Sequence, residues 1–248
     1  MEPDTPGRPR DEAFRRLTFF SVLGGLCPLI PVPFMDDWAL EQVQRRMVWE
    51  IGRDEGRGWS SREVKILAGD EDAVRMGCLG RTVWAVREVA GAILGKLFRT
   101  VFYFLTIRRS ARLSAETLQL GYLVRHAARL PAASVPSAGG LDDGARTVRA
   151  AIAAALAQVD AGPVHRTLTR DFRRSLSLMV QAASLFRRFL PRRKRAGRAA
   201  ELPDAEIFSQ EEQLLGTFVD RLAVNLWGNQ AYFTELESAL ERNLPHAG

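Results

Sequence analysis

The sequence predicts an all-α protein: a multi-helix bundle that opens with a proline-broken apolar hairpin and closes with an acidic helical pair. Three observations predict it. Apolar residues recur at spacings of three and four along most of the chain. Capping residues stand ahead of several of these runs, as in the Ser60/Glu63 and Ser209/Glu212 pairs. No period of 20–50 residues recurs, which argues against a solenoid. The 248 residues suffice for a real core, as one large domain or two small ones, and 46% apolar content excludes global disorder.

In order along the chain, residues 1–10 read as a disordered tail, followed by a helical domain over 11–130. Asp11 is placed to cap a first helix that runs to about Cys27. Residues 28–34 carry Pro28, Pro31 and Pro33 and read as a stiffened turn. Asp36 or Asp37 caps a second helix, with Leu40, Val43, Met47, Val48 and Ile51 on one face. Ser60 and Glu63 box a short third helix. Residues 81–107 form a second apolar region; its end, VFYFLTI, has strand propensity, but length and flanks favour a buried helix. Ser114 is expected to cap a separate helix to about residue 130.

Residues 131–143 read as a linker, and 144–190 as a helical hairpin with elements near 144–160 and 164–190. Residues 191–203 form a basic linker, and 204–245 two acidic amphipathic helices. Leu215, Phe218, Val219, Leu222 and Leu226 line the first of these, and Phe233, Leu236, Leu240 and Leu244 the second.

Residues 17–35 contain no charge, in a chain that is 26% charged. The eleven residues before Pro28 reach only about half of a ~30 Å hydrocarbon core at 1.5 Å per residue. Crossing would also leave carbonyls of the proline segment unpaired and put positive charge on both sides. A wedge or re-entrant hairpin avoids these problems. It would place Phe19, Phe20, Leu23, Leu29, Ile30, Val32 and Phe34 in the acyl boundary. A buried soluble core hairpin and a true span stand as alternatives. Gly91 and Gly95 form a GxxxG pair suited to close helix contact, whereas Lys96 and Arg99 speak against a deep lipid position there.

The net charge of +6 is unevenly spread: residues 199–248 hold nine acids against Arg221 and Arg242, a balance of −7, which leaves +13 elsewhere. A basic body points to anionic partners, and the acidic tail either folds back, docks a protein partner or self-associates. Arg15 and Arg16 flank the hairpin, Arg108, Arg109 and Arg112 form one cluster, and Arg192, Arg193, Lys194 and Arg195 lie in another. Such clusters suit anionic headgroups. Nucleic acid is the less favoured partner, because aromatics are not interleaved with the cations. The excess of Arg over Lys, with many Ala, reads as codon bias of a GC-rich bacterial genome. A solvated linker is the plain alternative for residues 187–198.

No catalytic constellation is legible, so the expectation is a non-enzymatic protein without metal or cofactor. His126, His165 and His246 stand apart, with no HExxH or Glu-x-x-His pair. Residues 90–97 imitate a phosphate loop but begin with Ala90 and end with Leu97 in place of the magnesium-binding hydroxyl. Cys27 and Cys78 share no CxxC spacing, which fits a reducing compartment. The polar start and the sequence around Cys27 make a poor secretory signal.

The segment Pro31-Val32-Pro33-Phe34-Met35-Asp36-Asp37, followed by a helix with Gln42, Gln44 and Met47 and closed by Gly52 and Gly56, resembles one bacterial group. These are helical membrane-associated domains that stand alone or are appended to small GTPases, and the EcsC-like proteins are similar in layout. The resemblance covers residues 17–56. It implies peripheral or hairpin attachment at the cytoplasmic face of the inner membrane, with the cytoplasm as the alternative location. The chain has no nucleotide-binding domain of its own to pair with it. The expected function is a membrane-attached scaffold or adaptor; the alternative is a soluble helical adaptor whose basic surface meets an acidic protein or nucleic acid.

Overall fold

The computed structural model describes residues 12–29, 35–69, 97–130, 141–175, 177–182 and 205–245. Every regular element among them is helical: α1 Glu12–Leu26, α2 Met35–Asp54, α3 Ser61–Ala68, α4 Leu97–Arg129, α5 Leu141–Gln158, α6 Gly162–Arg174, α7 Ala205–Trp227 and α8 Gln230–Asn243. A 3-10 turn, Cys27–Leu29, follows α1. The helices pack as a bundle.

α1 is its hub. Every residue from Leu17 through Leu26 is buried, because α2, α4 and α7 all pack against this helix. A helix apolar on all sides needs partners on all sides, and the small residues of α1 let them come close. Ser21 Oγ lies 2.9 Å from the Ser114 carbonyl and 2.7 Å from its hydroxyl. A Cβ added at Gly25 would sit 3.0 Å from the Ser110 carbonyl and 2.7 Å from the Phe172 ring. Rising numbers in α1 meet falling numbers in α4, so the two run antiparallel.

An aromatic cluster ties the ends of the chain together. Phe14 meets Trp227 at 4.9 Å and Phe233 at 5.4 Å between ring centroids, and Tyr122 meets Phe233 at 4.6 Å. Such pairs add about 0.5–1.5 kcal/mol each beyond burial. The acidic helices α7 and α8 thus fold back on the basic body, one of the outcomes open in the sequence. Asp220 takes Arg15 at 2.6 Å, Glu237 accepts the Tyr122 hydroxyl at 2.6 Å, and Glu241 lies 2.9 Å from His126.

The loop after α2 closes the far end of α4. Arg57 donates to the carbonyls of Ala128 and Leu130 at 2.8 and 2.6 Å, which satisfies carbonyls that a helix end leaves open. Glu55 accepts from Arg125 at 2.7 Å and Arg129 at 3.0 Å. The α3 capping box forms as expected, with Ser60 and Glu63 bonded reciprocally. Gly69 then ends the helix at φ 91°, a conformation that favours glycine.

Four boundaries differ from the sequence expectation. Residues 97–129 are one continuous helix: VFYFLTI is helical, as its length and flanks favoured, but Ser114 is not a cap and lies mid-helix, buried against Ser21. α5 begins at Leu141 rather than 144. The helix expected over 164–190 breaks after Arg174, where the Ser175 amide turns back to the carbonyls of Asp171 and Phe172 before a short helical stretch at 177–182. α7 starts at Ala205, which puts Ser209 inside the helix rather than at its cap.

Candidate functional site

The expected lipid-contact residues do not share one fate. Phe19, Phe20 and Leu23 are 5%, 2% and 0% exposed, packed inside the bundle. For these three the wedge expectation is corrected: their greasy faces already have protein neighbours, and moving them to lipid would empty the core. Leu29 is partly buried against that core. Ile30, Val32 and Phe34 lie outside the described residues, as does the Gly91/Gly95 pair. No helix among the described residues is long and apolar enough to cross a membrane.

The basic residues also divide. Arg15 pairs with Asp220 and, at 3.5 Å, with Glu12. Arg16 pairs with Asp54 at 2.5 Å. Both ion pairs lie at the surface and tie α1 to α7 and α2, so these two arginines have carboxylate partners within the protein. Arg192, Arg193, Lys194 and Arg195 lie outside the described residues. Arg108, Arg109 and Arg112 are exposed on α4. Arg109 reaches Asp36 at 2.8 Å and Arg112 reaches Glu116 at 2.8 Å, while Arg108 makes no ion pair among the described residues.

The continuity of α4 gives these arginines a new neighbour. Leu105, Arg108, Arg109 and Arg112 fall at i, i+3, i+4 and i+7, one face of one helix. Leu105 is 56% exposed, unusual for a large apolar side chain in this protein. α1 ends at Leu26, one residue past Gly25, which meets the Ser110 carbonyl. The leading part of α4, residues 97–106, therefore runs on past the end of α1 by about 15 Å at 1.5 Å per residue. In sequence that part reads LFRTVFYFLT, with Arg99 its one charge. Sequence reasoning missed this face because it ended the apolar region at Ile107 and read the three arginines as a cluster apart from it; their spacing with Leu105 was the available signal.

Other chemistry is accounted for by packing. Cys27 is fully buried, donates to the Leu23 carbonyl at 3.4 Å, and burial pushes its thiol far up, so it is no nucleophile in this conformation. Burial pushes the Tyr232 phenol up to about 12, against the lowering hydrogen bond from Gln119. A cavity among α1, α2 and α4, bounded by Arg16, Phe20, Met47 and Arg125, holds about 20 Å³, room for one water. No cluster of His, Cys, Asp or Glu among the described residues could hold a metal ion.

In comparison with known proteins, no family model, curated protein or solved structure matches this chain. The fold and the α4 face therefore carry the functional argument alone.

Proposed function

We propose that this chain is a non-enzymatic helical scaffold or adaptor that rests on an anionic membrane surface, at the cytoplasmic face of a bacterial inner membrane, through the leading end of α4. One observation carries the reading: an exposed Leu105 in register with exposed Arg108, Arg109 and Arg112, on a helix that continues past the end of α1. An apolar side chain followed along one helix face by three arginines suits the boundary between acyl chains and phosphate headgroups.

The magnitudes favour weak, reversible attachment. Full burial of a leucine is worth about 1.5–3 kcal/mol. Each near-surface cation adds about 1 kcal/mol, less for Arg109 and Arg112 because each already has a carboxylate partner. Flotation with phosphatidylcholine vesicles, with and without phosphatidylglycerol, tests the reading. Binding should need the anionic lipid and fall at least about ten-fold in Leu105→Asp. Equal recovery of Leu105→Asp and the parent chain with vesicles would reject the α4 contact. A salt-sensitive shift of a nucleic-acid probe without vesicle binding would favour the soluble adaptor.

A further inference from the structure

α6 shows solvent a face of one chemistry. Its exposed residues are Arg166, Arg170, Arg173 and Arg174, and no other type. They follow helical register, with rises of about 6 Å from 166 to 170 and again from 170 to 174 at 1.5 Å per residue. The opposite face holds Val164, Leu168, Asp171 and Phe172 in the core. Asp171 is 2% exposed and is engaged by Asn225 at 2.8 Å and by Arg170 at 3.6 Å, which ties the arginine face to the helix's buried side. The α6 face is thus held rigidly on the bundle by its own apolar side, with charge alone outward.

We infer that this arginine face is a second electrostatic contact to an anionic bilayer, acting with the α4 end. The inference rests on the proposed membrane role of α4 and assigns it a second element. Position supports it: the Phe172 ring sits against Gly25, and Gly25 sits against the Ser110 carbonyl. The last turn of α6, with Arg173 and Arg174, therefore packs at the same height along the bundle as Ser110, the stretch of α4 that carries Arg108, Arg109 and Arg112. Chemistry supports it as well. The exposed positions of α6 offer no aromatic ring on which a single-stranded base would stack; arginines also contact DNA phosphates and guanine edges, so the duplex titration below is the arm that separates the two anionic partners. Phosphate headgroups ask only for cations. A single weak membrane signal gives marginal attachment, and a second, polybasic one makes it durable.

The test compares three chains: the parent, Arg166→Gln/Arg170→Gln/Arg174→Gln, and Leu105→Asp. All the altered side chains are exposed, and thermal melts check that each variant folds. Each is titrated with phosphatidylcholine vesicles containing phosphatidylglycerol, and separately with a short mixed-sequence DNA duplex. Losing three near-surface cations should weaken vesicle binding about a hundred-fold at low salt, and raising the salt should shrink that gap. If the triple variant binds vesicles like the parent while Leu105→Asp does not, the α6 contact is wrong and the α4 reading stands. If the triple variant loses binding and Leu105→Asp keeps it, α6 is the contact and the α4 reading is wrong. A parent chain that ignores vesicles, or prefers the duplex and loses it in the triple variant, overturns the lipid assignment of α6.

Discussion

α1 and the leading part of α4 carry similar apolar sequence, yet α1 is enclosed from Leu17 to Leu26 while Leu105 of α4 is exposed. α1 spends Leu17 through Leu26 entirely on protein neighbours. α4 buries Ile107, Ala111, Ala115 and Leu118, yet leaves Leu105 56% exposed two residues before Ile107. Hydropathy does not separate them; the supply of neighbours does. Ser21, Gly24 and Gly25 let α4 approach α1 closely, and the return of α7 and α8 closes the remaining side. Residues 97–106 of α4 lie beyond the end of α1, where that partner is not available to them.

Truncation at the two sites sharpens this contrast. Leu23→Ala should lower unfolding stability by about 2–5 kcal/mol, because Leu23 is fully buried at the hub. Urea melts read this directly; a loss below about 1 kcal/mol would mean that α1 is not the core helix described here. Gly25→Ala comes next, at about 1–3 kcal/mol, since the new methyl meets both a backbone carbonyl and the Phe172 ring. A neutral result would show that α1 and α4 do not pack this closely.

The closed end of α4 gives a smaller, pH-dependent effect. Burial raises the Glu55 pKa, but hydrogen bonds and charge from Arg125 and Arg129 outweigh it and hold it below the usual value of 4.5. A carboxylate with a lowered folded pKa contributes stability above the unfolded value and loses it as pH falls through the folded one. Glu55→Gln should therefore cost about 1 kcal/mol at pH 7, with the deficit closing below about pH 4. A deficit that stays constant on acidification would point to lost packing instead. Smallest of all, Leu105→Ala should change stability by no more than about 0.5 kcal/mol while still weakening vesicle binding.

Much of the fold was legible in the sequence. Helical spacing identified the apolar face of α2, and the Ser60/Glu63 box marked a real boundary. The interior of α4 was not legible, because a serine ahead of a helical run has the same local chemistry whether it caps a helix or faces Ser21 across an interface. Nor was the burial of Phe19, Phe20 and Leu23, which depends on the packing of α2, α4 and α7 against α1, partners distant in sequence. For α6 the apolar positions drew attention, while the arginines between them, visible at the same spacing, define what the helix shows to solvent.

Amide hydrogen exchange of the intact chain, with and without phosphatidylglycerol-containing vesicles, puts the contrast between the two helices to its most direct trial. Protection of residues 17–26 should be the same in both conditions, and protection across 97–112 should rise when vesicles are present. Vesicle-dependent change in 17–26 with none in 97–112 would contradict the account, because it would mean that α1 leaves the bundle to meet lipid.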